Sequence, residues 1–219
     1  MLASFRVNGV IVSVSAPLTK VCEMRGDDVL ILAGSLGQYS VSRIAGEILE
    51  KNLAASGLST RLLSIADLNL PLFNPDVHYK DRAVAQDFLN AVRRARAMIW
   101  CAPSYHRTIS GSFKNAIDFM ELLLDDKPSY LTGKVVGAVA TSKGIVAASN
   151  TAGELAMAAQ ALRAFTFPLL VPITASHHAL DEAGNLKDKR IEGKLDLLTD
   201  EVRLYLASHP VMKAGVAAE

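Results

Sequence analysis

The sequence predicts an α/β fold in which one parallel sheet is covered by helices on both faces. Five apolar, strand-like runs recur along the chain, and each precedes a segment with helical spacing or a loop that leads into one. The first run, 29–33, is continuously apolar, which is typical of a parallel strand buried on both faces. Because right-handed crossovers put a helix between successive parallel strands, this alternation predicts a doubly wound sheet.

The elements follow one another in a regular order. The predicted strands lie at 29–33, 60–65, 97–101, 134–141 and 168–173. The predicted helices lie at 44–53, 81–96, 112–124, 154–165 and 189–207. The first helix has Ile44, Ile48, Leu49 and Leu53 on one face and is closed by Gly57. Prolines punctuate the loop at 68–75, and Pro103 is expected to stop the third strand.

Length and charge limit the classes of protein. With 219 residues, the chain is long enough for one sizeable core. We expect an N-terminal extension at 1–27, one domain at 28–208 and a C-terminal tail at 209–219. The formal net charge is +1, with 21% charged residues. Such a balance provides no basic field for nucleic acid or anionic lipid, so neither is an expected partner.

The cysteines and the first residues indicate a cytoplasmic protein. Cys22 and Cys101 lie far apart, and no Cys/His spacing suggests a metal site. No apolar run is long enough to span a bilayer. Asparagine and serines interrupt the apolar piece around 10–14. We therefore expect a short added strand or a loose arm at 1–17 rather than a signal peptide.

The predicted fold places ligand chemistry in the loops that follow the strands. In an open parallel sheet, ligands bind beyond the carboxyl ends of the strands, where strand order reverses. The informative loops are therefore 34–42, 103–111 and 141–144. Serine and glycine are prominent in all three.

The first of these loops has the composition of a phosphate site. Gly34, Ser35, Gly37, Ser40 and Ser42 come directly before a predicted helix, whose first N–H groups and dipole favour an anion. The alternative is a simple strand-to-helix turn with an N-cap serine. The loop lacks the lysine of a Walker motif and the glycine spacing of a dinucleotide fingerprint, and no Gly-x-Ser-x-Gly elbow occurs in the chain.

The second loop resembles a known family. Residues 103–118 read Pro-Ser-Tyr-His-Arg-Thr-Ile-Ser-Gly-Ser-Phe-Lys-Asn-Ala-Ile-Asp. This is similar to the hallmark of the NAD(P)H-dependent FMN reductases, Pro-x-Tyr, a short turn and Gly-x-x-Lys-Asn-x-x-Asp. The Ser-Gly form of the turn and the Thr-Ser-Lys-Gly at 141–144 resemble the reductases that serve sulfonate-using two-component monooxygenases. The match runs from about 29 to 172.

The resemblance implies a cofactor, a fold and partners. It implies a flavodoxin-like, five-stranded sheet of order 2-1-3-4-5 that binds FMN, with NADH or NADPH as hydride donor. It also implies a homodimer or homotetramer and delivery of reduced flavin to a monooxygenase. The implied FMN phosphate contacts are Ser35, Ser40, Val41 and Ser42. The implied flavin-ring contacts are Pro103, Ser104, Tyr105, His106, Arg107 and Thr108 on one side, and Ser142, Lys143 and Gly144 on the other.

Some residues depart from the family pattern. Gly37 stands where the family often has arginine, so that charge partner for the phosphate is missing, and Arg43 and Arg107 are the candidates to substitute for it. His106-Arg107 replaces the common Asn-Gly, and Ser110 stands where some relatives have proline. We hypothesise that Arg107 holds the phosphates of the nicotinamide cofactor, and that His106 contacts either the flavin ring or the second substrate.

Hydride transfer between the two cofactors needs no protein acid, base or nucleophile, so no catalytic side chain and no metal ligand is assigned. Two alternative functions remain open. One is an enzyme that keeps FMN bound and reduces a quinone, an azo dye or a metal ion, and the other is a flavin-binding redox carrier or sensor. Burial of Cys101 as an inert thiol and a loop role for His177 and His178 are also expected.

Overall fold

The structure is a computed structural model that describes residues 4–7, 10–13, 28–37, 40–79, 82–174, 179, 181 and 186–210. Strands β1 (Ser4–Val7) and β2 (Val10–Ser13) pair antiparallel, with Ser4 opposite Ser13. The remaining strands are β3 (Val29–Ala33), β4 (Thr60–Ser64), β5 (Ala97–Tyr105), β6 (Thr108–Ile109), β7 (Val135–Thr141) and β8 (Phe165–Ile173).

Five of these strands form the predicted parallel sheet. Its order is β4-β3-β5-β7-β8, with all four neighbouring pairs parallel, and the short β6 pairs antiparallel with the end of β5. Counted along the chain, the five parallel strands have the order 2-1-3-4-5, which is the flavodoxin-like doubly wound arrangement. The fold class predicted from the sequence is therefore confirmed.

Helices cover both faces of the sheet. They are α1 (Val41–Ala55), α2 (Ile65–Leu68), α3 (Ala83–Arg94), α4 (Gly111–Phe119), α5 (Ile145–Ala161) and α6 (Lys189–Ser208). Helices α3, α4 and α5 pack on one face, and α1 and α6 on the other. None of the described helices combines the length and apolarity needed to cross a bilayer.

Strand side chains alternate between the two halves of the core. In β3, Leu30 and Leu32 join the cluster under α3–α5, whereas Val29 and Ile31 join the cluster under α1 and α6. All of β3 is buried, because helices cover both sides of it. The sheet is thus a fixed platform for the loops at its carboxyl edge.

The helix predicted at 112–124 ends at Phe119 and is followed by a 3-10 helix at Met120–Leu123, and three other predicted boundaries were wrong for reasons that the structure shows. Strand β5 does not stop at Pro103 but continues to Tyr105. Strand β3 ends at Ala33, opposite Cys101, so Pro103 lies past the end of the β3 pairing and is paired with Thr141 of β7. Strand β8 likewise begins at Phe165 rather than 168, because its prolines lie on a strand that pairs only with β7 among the described strands.

The third correction concerns α5, which spans Ile145–Ala161 rather than 154–165. Its first two turns contain β-branched residues, serine and asparagine, which have low helix propensity. Tertiary packing overrides that propensity, since Ala148, Thr151 and Ala152 on these turns are fully buried.

Candidate functional site

The carboxyl ends of β3, β5 and β7 meet at one rim of the sheet. Ala33 lies opposite Cys101, and Pro103 lies opposite Thr141, in neighbouring parallel strands. Neighbouring strands are about 4.8 Å apart, so the loops that follow them are adjacent. The backbone N–H of Gly34 donates to the carbonyl of Cys101 at 2.8 Å, which ties the first loop to β5. The three predicted ligand loops are therefore brought together.

The start of the first loop is held tightly against α4. A Cβ atom on Gly34 would lie 2.2 Å from Cδ2 of Phe113, so only glycine fits there. The Ser112 hydroxyl donates to the Gly34 carbonyl at 2.8 Å. Further along, the Ser35 hydroxyl accepts from the Gly37 N–H at 3.1 Å and closes a tight turn. The backbone of this loop is set by packing and by its own hydrogen bonds.

The N-terminus of α1 lacks a side-chain cap. Ser40 is the N-cap residue, but its hydroxyl lies 2.8 Å from the Ser42 hydroxyl and caps no backbone N–H. Ser42 is fully buried and Ser40 nearly so. The first N–H groups of a helix have no intrahelical acceptor, and such a terminus suits a phosphate. The buried Ser42 hydroxyl is therefore the hydrogen-bond partner of the Ser40 hydroxyl. Val41, which is also buried, lies in the same first turn of α1.

The two arginines considered as charge partners differ in their surroundings. Arg43 forms ion pairs with Glu47 at 3.2 Å and with Asp67 at 3.4 Å. Arg107 is exposed and takes part in no ion pair among the residues that the structure describes. Of the two, Arg107 has the guanidinium charge that no carboxylate neutralises.

The second loop is a tight hairpin between β5 and β6. Ser104 pairs with Ile109 and Tyr105 with Thr108, which leaves His106 and Arg107 as the two turn residues. Both turn residues have left-handed backbones, with φ of 54° at His106 and 67° at Arg107. This is the geometry for which hairpins prefer Asn-Gly. A non-glycine residue in this region costs on the order of 1–3 kcal/mol, so the turn is strained.

Helix α5 holds this hairpin with three polar side chains, which we call the α5 clasp: Asn150, Thr151 and Glu154. One oxygen of Glu154, Oε2, accepts from the Thr108 hydroxyl at 2.7 Å and from the Ile109 N–H at 3.1 Å. The Thr151 hydroxyl lies 2.7 Å from that of Ser104, which donates to the Ala147 carbonyl at 3.3 Å.

The Asn150 amide completes the clasp. Oriented to satisfy both of its ends, it accepts from Nη2 of Arg107 at 3.1 Å and donates to the Val146 carbonyl at 3.2 Å. Nothing in the sequence singled out the clasp, because its residues lie more than forty positions from the hairpin they hold. A polar triplet on an otherwise alanine-rich helix is the only local signal.

The third loop leads into the N-terminus of α5 at the same rim. The Ser142 N–H donates to the Ile173 carbonyl at 3.0 Å, and Gly144 is the N-cap residue. Lys143 and Gly144 are exposed, and Ser142 is half-buried. This loop therefore faces solvent beside the hairpin.

Apolar side chains are exposed around these loops. Leu36 follows β3, Tyr105 ends β5, and Ile145 and Val146 begin α5, and each is more than half exposed. Exposed apolar side chains gathered at one place typically mark a binding surface. The rim thus combines apolar contact area with an uncapped helix terminus.

The Gly-x-x-Lys-Asn-x-x-Asp part of the motif lies on α4, next to the three loops. Asn115 accepts from the Phe73 N–H and donates to the Pro71 carbonyl, both at 2.8 Å, which fastens the loop after α2. Lys114 forms an ion pair with Asp118 on the outside of α4.

Burial raises the pKa of the Cys101 thiol to about 12, so it stays protonated near neutral pH. His177 and His178 lie outside the described residues.

Comparison with known protein families decides what this rim belongs to. The model of the NADPH-dependent FMN reductase family matches residues 28–178, which include all three loops. The chain belongs to the NADPH-dependent FMN reductase family. It is therefore an oxidoreductase that uses FMN and a nicotinamide cofactor, as the resemblance of its loops implied.

Individual relatives agree with this membership. The chain is 26% identical over 188 residues to the NADPH-dependent FMN reductase ArsH of Shigella flexneri, an alignment that covers 85% of this chain and 71% of that protein. It is 32% identical over 120 residues to a quinone reductase of Escherichia coli, covering 54% of this chain and 61% of the relative. The aligned part of the chain thus spans less than two thirds of the length of that quinone reductase.

A solved structure supports the fold. The flavoenzyme NAD(P)H:(acceptor) oxidoreductase FerB from Paracoccus denitrificans superposes with a TM-score of 0.69 at 22% identity, covering 84% of this chain and 98% of FerB. At this identity the similarity shows the fold alone.

The uncapped α1 terminus and the exposed apolar rim fit an FMN reductase, because FMN has a phosphate at one end and a flat aromatic ring at the other.

Proposed function

We propose that this chain is an FMN reductase that takes electrons from NADH or NADPH and supplies reduced flavin to a partner monooxygenase. The proposal rests on the presence of three features at one rim of the sheet. They are an uncapped helix terminus, a strained hairpin whose arginine forms no ion pair among the described residues, and exposed apolar side chains. When bound, FMN supplies the redox chemistry by accepting a hydride from the nicotinamide ring.

The phosphate end of FMN belongs at the start of α1 in this proposal. Ser35, Ser40 and the first-turn N–H groups of Val41 and Ser42 are its proposed contacts. The helix dipole contributes only about 0.3–1 kcal/mol, or ~2 kcal/mol when partly buried. The N–H groups must therefore provide most of the anchor, which agrees with a Ser40 hydroxyl that caps none of them.

The flavin ring belongs between the second and third loops. Pro103, Ser104 and Tyr105, with His106 and Thr108 of the hairpin, provide the proposed contacts on one side. Ser142, Lys143 and Gly144 provide them on the other. Their role is to orient the ring and to exclude water from it, since the reaction needs no acid or base from the protein.

Arg107 is the proposed contact for the phosphates of the nicotinamide cofactor. Its guanidinium is exposed and is held by the neutral Asn150 amide, so its positive charge is available to an anionic ligand. The same charge also makes it the better substitute for the arginine that the family often has at Gly37.

Assembly and setting are proposed from the rest of the chain. Met157, Val146 and Ile145 are exposed on α5, and a second copy packed there would make the homodimer or homotetramer that we propose. We take 28–208 as the flavin-binding domain, with 1–27 and 209–219 outside it. The cytoplasm is the proposed location, in keeping with a buried free thiol at Cys101.

A second function is favoured by the relatives named quinone reductase. In that case FMN stays bound and the electrons go to a quinone, an azo dye or a metal ion. The third alternative, a redox carrier or sensor without nicotinamide turnover, uses the same flavin site.

One set of measurements separates these functions. Purified chain is titrated with FMN, and the complex is then mixed anaerobically with NADH and with NADPH while the oxidised flavin band is followed. The FMN reductase bleaches the band and releases flavin on gel filtration, whereas the quinone reductase retains stoichiometric FMN. An oxidised flavin band that does not bleach on a catalytic timescale would favour the redox carrier or sensor. A chain that does not bind FMN would contradict all three functions.

A further inference from the structure

The turn at His106–Arg107 does not hold its shape by itself. Both residues have positive φ without being glycine, asparagine or aspartate. Such conformations persist only where the surrounding structure enforces them. Within the described part of the chain, the partners that enforce it from outside the hairpin belong to the α5 clasp.

Glu154 is the charged member of that clasp. Its carboxylate is partly buried, and no ion pair of the described residues includes it. A partly buried carboxylate without a cation carries a desolvation cost. Its recorded hydrogen bonds both go to the hairpin, to the Thr108 hydroxyl and the Ile109 N–H. Charge-assisted hydrogen bonds are roughly twice as strong as neutral ones, and here they offset the strain of the turn.

The hold on the hairpin determines where Arg107 points. Thr108 and Ile109 directly follow Arg107, so Glu154 fixes the backbone on the C-terminal side of the turn. Asn150, one helical turn before Glu154, holds the guanidinium itself. If the backbone relaxed to an unstrained turn, the guanidinium would leave the Asn150 amide.

We propose that Glu154 is a positioning residue, which keeps the His106–Arg107 turn in its left-handed form and so places Arg107 for the anionic part of the hydride donor. The role of Arg107 rests on the proposed function, whereas the hold on the hairpin does not. Glu154 itself contacts neither the flavin nor the nicotinamide.

The test compares E154A and E154Q with the wild type and with Q160A. Gln160 also lies on α5, where its amide donates to the Thr166 hydroxyl at 3.0 Å, away from the hairpin, so Q160A controls for the loss of a polar side chain from this helix. Amide hydrogen exchange at Thr108, which pairs with Tyr105 across the turn and whose N–H is not bonded to Glu154, reports on the hairpin without any cofactor. Steady-state kinetics with FMN report on KM for NADH and NADPH separately from kcat.

We expect E154A to speed exchange at Thr108 by at least about tenfold and to raise the nicotinamide KM roughly tenfold, with kcat changed far less. E154Q keeps an acceptor oxygen, so it should restore most of both values, and Q160A should match the wild type.

Unchanged exchange at Thr108 in E154A would overturn the proposal, and so would faster exchange with an unchanged KM, since Glu154 would then serve only stability. A wild-type chain that leaves both nicotinamides unoxidised in the presence of FMN would instead contradict the proposed function. The exchange data alone would then decide whether Glu154 holds the turn.

Discussion

The two loops that define the rim reach their shapes in different ways. The loop after β3 is fastened at Gly34 by the Phe113 ring, the Cys101 carbonyl and the Ser112 hydroxyl, whereas its hydrogen bonds from Ser35 to Ser42 run between residues two positions apart. The β5–β6 hairpin places two ordinary residues in a left-handed turn and depends on a distant helix to keep them there. The part of the loop that holds the proposed phosphate contacts Ser35, Ser40 and Ser42 thus has local side-chain hydrogen bonds, whereas the position of Arg107 is a tertiary property.

The largest expected effect comes from adding one methyl group to the local loop. Gly34→Ala places a Cβ 2.2 Å from the ring of Phe113, which is fully buried and packs edge-on against Trp100 at 5.7 Å. Over-packing of this kind costs typically ~1–3 kcal/mol and here about 3 kcal/mol or more, because the obstacle is a buried ring. Urea unfolding measures the loss, and FMN titration should show that binding is abolished.

Gly37→Ala is the matched control in the same loop. Among the described residues, a Cβ at Gly37 meets only the Ser35 hydroxyl, at 3.5 Å, so the free energy of unfolding of this variant should be within about 0.5 kcal/mol of the wild type. Equal stability of the two alanine variants would show that the Gly34 backbone is not constrained by Phe113.

The second effect concerns the charge on the hairpin. Arg107→Ala removes the guanidinium that no carboxylate neutralises, so the KM for the nicotinamide cofactor should rise roughly tenfold, equivalent to about 1.4 kcal/mol. Steady-state kinetics at saturating FMN provide the measurement, and Arg43→Ala is the comparison, because Arg43 is engaged by Glu47 and Asp67. A KM unchanged in Arg107→Ala would remove this residue from cofactor binding.

The third effect separates strain from charge at the same position. Arg107→Gly and Arg107→Ala both lack the guanidinium, but glycine adopts the φ of 67° without steric cost. The glycine variant should therefore be more stable than the alanine variant by ~1 kcal/mol in urea unfolding, while both show the same raised KM. If alanine were as stable as glycine, the turn would not be strained.

The fold was largely predictable because its strands are continuous apolar runs separated by helical spacing. Val29–Ala33 was predicted with its observed bounds, and the end of α1 was marked by Gly57, whose φ of 82° closes the helix. The errors fell where a local rule met a tertiary exception. Pro103 does not end β5, since it lies past the end of β3 while β7 continues beside it. Helix α5 starts early because buried contacts outweigh its poor helix formers.

The candidate site was predictable to the level of loops, and its supports were not. Strand ends and glycine-serine composition indicated the three loops at the rim. Glu154 and Asn150 could not be found in this way, because their partners are brought to them only by the packing of α5 against β5 and β6. The left-handed backbones at His106 and Arg107 had one indirect signal, the Asn-Gly that the family often has at this turn, since arginine itself does not favour that conformation.

The smallest expected effect returns to the local loop. Ser42 is fully buried and its hydroxyl contacts only that of Ser40 among the described residues, at 2.8 Å. Ser42→Ala should therefore cost about 0.5–1.5 kcal/mol of stability, the usual net value of one hydrogen bond. Its Kd for FMN should stay within roughly threefold of the wild type, because the proposed phosphate contacts in this turn are the backbone N–H groups of α1 rather than this hydroxyl. Fluorescence titration with FMN, and with riboflavin as the ligand that lacks the phosphate, measures both contributions. A tenfold loss of affinity for FMN, with no loss for riboflavin, would show that the Ser42 hydroxyl contacts the phosphate itself. The phosphate anchor would then depend on side-chain hydrogen bonds, as the hairpin does.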